Sequence, residues 1–217
     1  MLKKERFGLF VDFFNHHFPV PETELKFQDP FQLLISVILS AQCTDKRVNL
    51  VTPALFERFP TPDSLISVAC EDVFPFIKSI SYPNNKTRHI IGTARMLVEK
   101  FNSKVPSSVE DLQKLPGVGR KTAHVIASVI FNQPVMAVDT HVFRVSKRLG
   151  LAPQTAHTPL AVEKELTKNI PRELIQKAHH WLIFLGRYTC TARKPDCNSC
   201  DLRKICRYYE LSVFKMK

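Results

Sequence analysis

The chain has 217 residues, 44% of them hydrophobic, which is ordinary for a globular protein and enough for one large domain or two small ones. Its formal charge of +11 favours an anionic polymer as partner over an indifferent basic surface, because Lys and Arg release counterions from phosphates. The longest apolar stretch, residues 31–41, carries Gln32 and Ser36 and is too short for a bilayer, which excludes a membrane-spanning chain.

Residues 1–18 look superficially like a targeting segment, but Asp12 and Asn15 interrupt the apolar run and no small-residue cleavage site follows. Phe7, Phe10, Phe13 and Phe14 recur at helical spacing, so the pattern predicts an amphipathic helix that belongs to the fold of a soluble, intracellular protein. A buried helix follows over 30–41, then one over 48–58 closed by the Pro60–Pro62 turn. Residues 61–69 read as a short helix and 71–79 as the next. After the turn at 81–85, a helix over 86–101 carries apolar Ile90, Ile91, Ala94, Leu97 and Val98. Ser108 and Asp111 form a capping box for a short helix ending at Leu115. Helices over 119–131 and from Asp139 to Gly150 come next, Gly150 being a natural helix stop. Residues 151–160 form a connector, and helices over 161–169 and 173–186 lead into a cysteine segment. Sustained alternation is almost wholly missing, so the fold class is all-α. Cys43 and Cys70 read as ordinary buried thiols.

Two of the six glycines sit two residues apart in Leu115-Pro116-Gly117-Val118-Gly119-Arg120-Lys121. Helix, Pro-Gly-Val-Gly, helix is a tight hairpin. Glycine permits positive φ and close approach of a ligand to the main chain. The second helix then offers free N–H groups and a positive dipole end, which suits a phosphate better than a plain helical corner requires. Lys121 in its first turn opposes that dipole. A solvated lysine leaves roughly one molecule in two thousand neutral at pH 7, and lowering its pKa by about 3 units costs roughly 4 kcal/mol. The dipole and partial burial would supply part of that. A neutral Lys121 would be a nucleophile able to form a Schiff base. On this segment alone the plainer reading, a phosphate-contacting lysine of ordinary pKa, is favoured. Asp139, eighteen residues on, reads as a helix N-cap and also as a fixed carboxylate able to take a proton or stabilise a cationic transition state. His141 reads as a half-exposed surface histidine that could touch substrate.

Cys190, Cys197, Cys200 and Cys206 are separated by six, two and five residues. Four thiolates so close in sequence can converge on one metal centre, and their softness points to iron–sulfur or zinc. Disulfides are disfavoured because no export signal is read. The spacing is not the usual zinc pairing and tilts toward iron–sulfur.

These residues together resemble the endonuclease III family of DNA glycosylases in the helix-hairpin-helix superfamily. The matching segments are Leu39-Ser40-Ala41-Gln42-Cys43-Thr44-Asp45, the hairpin Leu115 through Ala123, Ala137-Val138-Asp139-Thr140-His141-Val142-Phe143-Arg144-Val145, and Arg187-Tyr188-Thr189-Cys190 through Cys206. The resemblance covers nearly the whole chain. It implies a six-helix barrel with the hairpin over 22–133, and an iron–sulfur domain made of 1–21 plus 134–217, with DNA in the groove between them. It implies Lys121 as nucleophile, Asp139 as the essential carboxylate, and a 4Fe–4S cluster on Cys190, Cys197, Cys200 and Cys206. It implies removal of oxidised pyrimidines in base excision repair, followed by strand cleavage 3′ to the abasic site by β-elimination. The partner would be double-stranded DNA carrying a damaged base or abasic site, and the protein a monomer. Gly117 and Gly119 would hold a backbone phosphate, and Gln42 would fill the hole left by a flipped nucleotide. Where the family often places a Leu wedge, this chain has Tyr82, which can stack on bases. A cluster tying down the loop between Cys190 and Cys197 would present Arg193 and Lys194 to phosphates. A monofunctional mismatch glycosylase of the superfamily is a rival reading, but such relatives usually lack a lysine at the position of Lys121. A non-catalytic DNA-binding module is a second rival, disfavoured by Lys121 together with Asp139.

Overall fold

A computed structural model describes residues 1–213, and among these every regular element is helical. Ten α-helices run in order: α1 (Lys3–His17), α2 (Pro30–Ser40), α3 (Asp45–Arg58), α4 (Cys70–Ile77), α5 (Pro83–Phe101), α6 (Val109–Leu112), α7 (Arg120–Phe131), α8 (Thr140–Leu149), α9 (Pro159–Asn169) and α10 (Ile175–Phe184). The chain divides into two compact units, Thr23–Phe131 and Met1–Glu22 with Asn132–Lys217. Residues 214–217, assigned to the second unit by sequence, lie outside the described residues. No helix among the described residues is long and apolar enough to cross a membrane.

The unit 23–131 holds α2 to α7, and α2 packs against α3, α5 and α7. Residues Phe31 to Leu39 of α2 are all buried, as expected of a helix that is apolar on every face. Asp29 caps it, its carboxylate accepting from the Gln32 N–H at 2.9 Å, and Pro30 opens the first turn, where no N–H is needed. α3 begins three residues earlier than the apolar pattern predicts because the Thr44 hydroxyl accepts from the Arg47 N–H. The helix expected over 61–69 is only a 3₁₀ turn, Asp63–Leu65. Thr61 and Ser64 exchange side-chain and backbone hydrogen bonds there, an alternative to helical pairing. α5 likewise starts early, at Pro83, with Tyr82 as N-cap in the left-handed region. α6 stops at Leu112 rather than Leu115, because the Lys114 and Leu115 N–H groups bond back three residues and tighten the turn. Cys70 is exposed at the first position of α4, against the expectation of burial, and Cys43 is half-buried.

The other unit is built around α1 and α10. Phe7, Phe10 and Phe14 are buried, and Phe14 stacks on Trp181 with ring centroids 5.6 Å apart. The Trp181 indole N–H donates to Phe18 O at 2.9 Å, which satisfies the polar end of a buried ring. Arg6 Nε donates to Ile205 O at 2.7 Å, tying the first helix to the cysteine segment. α8 is capped by Asp139 and ends at Gly150, φ 83°. After Phe184 the helix widens into a π turn, Leu185–Thr189, whose closing bond runs from Cys190 N–H to Leu185 O.

His180 on α10 is 6% exposed, and burial, with Arg187 adding to it, pushes its pKa down to about 4. In the unfolded chain the imidazole titrates near 6.5, so below that pH the unfolded state binds a proton that the folded state does not. The stabilisation is complete above about 6.5 and is lost as pH falls toward 4, roughly 3 kcal/mol in all. Urea unfolding at about pH 7 and about pH 4.5 should show the native chain losing about 2 kcal/mol more than a His180→Leu chain.

Candidate DNA-binding and catalytic site

The hairpin between α6 and α7 is held against α5 by its backbone. Thr93 Oγ1 donates to Pro116 O at 2.8 Å, and Leu115 and Val118 are buried. Gly117 has φ +78°, and a Cβ there would lie 2.9 Å from Cβ, Cγ and Nδ1 of His89. Gly119 differs: its φ is not positive and a Cβ would meet nothing within 4 Å. The two glycines therefore divide the work. Gly117 permits the turn and the close approach to α5, whereas Gly119 keeps the surface at the start of α7 bare. Lys121 follows in the first turn of α7 and is exposed to solvent. The partial burial expected of it is not supplied by this unit.

The same unit brings Gln42 and Tyr82 onto one edge. Both are exposed, and both have left-handed backbones, φ 55° and 56°. Ser81 Oγ donates to Gln42 O at 2.8 Å. Lys86, buried at 4% exposure, donates from Nζ to Leu39 O at 2.8 Å and Ala41 O at 2.6 Å. Sequence reasoning passed over Lys86. The available signal was its place four residues before Ile90, on the buried face of α5.

In the other unit Asp139 is half-buried at the start of α8, and its Oδ1 accepts from Val142 N–H at 2.7 Å. One helical turn on, Arg144 reaches Gly186 O at 2.8 Å, Cys190 O at 3.2 Å and Thr140 O at 3.3 Å. Its Nη2 also lies 3.2 Å from Nδ1 of His141, so that histidine faces a cation in the fold. Burial lowers the Arg144 pKa, opposed by the Cys190 thiolate and the Asp139 carboxylate. Arg148 clamps the following loop, donating to Thr191 O at 2.7 Å, Ala192 O at 2.8 Å and Cys190 Sγ at 3.4 Å. Its guanidinium also stacks over Tyr208. Arg193 and Lys194 stand exposed on that loop. Neither Arg144 nor Arg148 was singled out from sequence, because both are drawn inward by carbonyls more than forty residues away.

Cys190, Cys197, Cys200 and Cys206 all line one cavity, with Leu149, Leu185 and Tyr208 among its walls. None is in a disulfide. Among the described residues no group of three or more His, Cys, Asp or Glu meets as closely as a single metal ion requires. Burial pushes the Cys200 thiol up to about 11 and raises those of Cys197 and Cys206. Four soft donors around one mostly apolar cavity suit a thiolate-ligated group.

Residues 35–172 match the HhH-GPD superfamily of base excision DNA repair proteins. The chain is 46% identical over 202 residues to an endonuclease III of Rickettsia felis, covering 93% of this chain and 94% of the relative. It is 47% identical over 192 residues to the endonuclease III of Escherichia coli K12, covering 88% and 90%. A solved structure described as a trapped endonuclease III–DNA covalent intermediate, an estranged-adenine complex, superposes with a TM-score of 0.91 at 46% identity, covering 100% of both chains.

The division between the glycines is testable. Gly117→Ala should cost about 1–3 kcal/mol, from the left-handed backbone and the contact with His89. Gly119→Ala should stay within about 0.5 kcal/mol of the native chain by urea unfolding.

Proposed function

The chain belongs to the endonuclease III family of helix-hairpin-helix base excision repair proteins, and we infer that it is a bifunctional DNA glycosylase and abasic-site lyase. Its substrate is double-stranded DNA carrying an oxidised pyrimidine or an abasic site, and it acts as a monomer. The observation that carries this reading is Lys121 in the first turn of α7, directly after the Pro116–Gly119 hairpin, in a chain 46% identical to a relative trapped covalently on DNA.

The damaged nucleotide is turned out of the duplex, at an unstacking cost that a damaged base reduces. Gly117 permits the turn and Gly119 leaves its backbone open to a phosphate, whose charge is favoured at the start of α7. Lys121 is exposed in the DNA-free chain, so desolvation of its amine comes from the docked DNA. The neutral amine attacks C1′ of the deoxyribose. The glycosidic bond breaks, its electron pair leaves with the base, and the nitrogen gives up a proton. Asp139, held in one orientation by its bond to Val142 N–H, is the carboxylate that takes this proton or stabilises the cationic sugar. Opening of the sugar ring gives a Schiff base on Lys121. That cation acidifies C2′, a proton leaves, and the electron pair expels the 3′ phosphate. Gln42 occupies the space of the flipped nucleotide and Tyr82 stacks into the duplex, while Arg193 and Lys194 meet phosphates.

Cys190, Cys197, Cys200 and Cys206 would hold a 4Fe–4S cluster through their thiolates, and residues 190–206 would then be cross-linked into a rigid anchor for the basic loop. Arg148 braces that loop from the fold side through the Thr191 and Ala192 carbonyls.

Borohydride should trap a covalent adduct between the native chain and abasic DNA, and Lys121→Ala should abolish it. A native chain that releases base without ever trapping would instead be a monofunctional glycosylase. For the thiols, binding must displace the protons that burial retains on Cys197, Cys200 and Cys206. Uptake of iron and sulfide by the apoprotein, followed by absorbance near about 400 nm, should therefore rise between about pH 7 and about pH 9. A Cys200→Ser chain should stay nearly colourless throughout.

A further inference from the structure

Lys86 is a buried cation that the reaction does not use. It lies on the inner face of α5, and its ammonium donates to Leu39 O and Ala41 O at the end of α2. Those carbonyls have no partner within their helix and sit at its negative end, so an ammonium suits them. Burial lowers the Lys86 pKa, with Cys43 opposing the shift.

Immediately beyond Ala41 the chain turns through Gln42, φ 55°, and Cys43 N–H returns to Ser40 O at 3.0 Å. Across from it, Ser81 Oγ donates to Gln42 O at 2.8 Å. Tyr82, φ 56°, then opens α5, and its carbonyl accepts the Lys86 N–H at 3.1 Å. Three side-chain bonds, two of them from one ammonium, thus join 39–42 to 81–86. A left-handed backbone at a residue with a Cβ costs about 1 kcal/mol or more and persists only where surroundings enforce it. Here it occurs at both Gln42 and Tyr82.

We propose that Lys86 is a positioning residue that joins the Gln42 turn and the Tyr82 turn into one rigid probe, so that both side chains enter a duplex with fixed separation. This rests on the reading above that Gln42 and Tyr82 contact DNA. The rigidity has a kinetic purpose: ordering two separate turns on the duplex would consume binding energy needed to extrude a nucleotide.

The test uses the full chain as Lys86→Met, Lys86→Arg, Ser81→Ala and a Gln42→Ala/Tyr82→Ala double variant. One readout is single-turnover base release from duplexes carrying thymine glycol opposite each of the four bases. The other is borohydride trapping on a single-stranded abasic oligonucleotide, which requires no insertion. The ratio of the first to the second should fall about tenfold or more in Lys86→Met. Differences among opposite bases should flatten, as in the double variant. Lys86→Arg, which keeps donors, should recover most of the ratio, and Ser81→Ala should lower it by about fivefold, since one hydrogen bond contributes about 1 kcal/mol. An unchanged ratio in Lys86→Met, or an equal loss of both readouts in Lys86→Met and Ser81→Ala, would overturn the proposal. A double variant that behaves like the native chain would overturn the DNA-contact reading itself, and the proposal with it.

Discussion

The approach of the hairpin backbone to α5 is the constraint on which the placement of the start of α7 depends. Pro116 lies against Gly92, its carbonyl takes the Thr93 hydroxyl, and Gly117 sits where His89 leaves no space for a Cβ. The turn is thus fixed by contacts to a nineteen-residue helix rather than by its own sequence. For the phosphate contact proposed for this loop, being ordered beforehand is a gain, because ordering it on the ligand would subtract from affinity. The same anchoring sets the direction of α7, and with it the position of Lys121.

Many cations of this basic chain are committed to its own backbone. Arg6 takes the Ile205 carbonyl, Lys86 takes two carbonyls of α2, and Arg144 and Arg148 between them take five at Thr140, Gly186, Cys190, Thr191 and Ala192. The formal charge of +11 therefore overstates what is presented to a polyanion. Arg148 fixes the loop on which Arg193 and Lys194 stand exposed, and Lys86 fixes the end of α2 just before the exposed Gln42.

What was legible in the sequence was local. Helical periodicity, the Pro-Gly-Val-Gly hairpin, the Asp139 cap and the cysteine spacing each lie within a few residues, and the matching elements stand close to where the pattern puts them. Boundaries slipped where a cap or a proline outweighed the apolar rhythm, as at Thr44 and Pro83, and the 61–69 helix failed because Thr61 and Ser64 bond to each other's backbone. Lys86, Arg144 and Arg148 were missed because a lysine or arginine in sequence reads as surface charge. Only the fold reveals distant carbonyls that bring it inside. The exposure of Lys121 was likewise unreadable, since burial depends on neighbours that sequence does not supply.

The π turn that ends α10 has a consequence for the four cysteines that share one cavity. It fits five residues, Leu185–Thr189, into a coil where a regular helix would need fewer, and it is closed by the Cys190 amide. A π turn of five residues sweeps about the same angle as four residues wound α-helically, so the extra residue is absorbed without turning Cys190 away from the wall it shares with Cys197, Cys200 and Cys206. Removing one residue there would restore ordinary winding and leave Cys190 on the same face. Chain length in this coil is therefore less constrained than the identity of the cysteine it delivers.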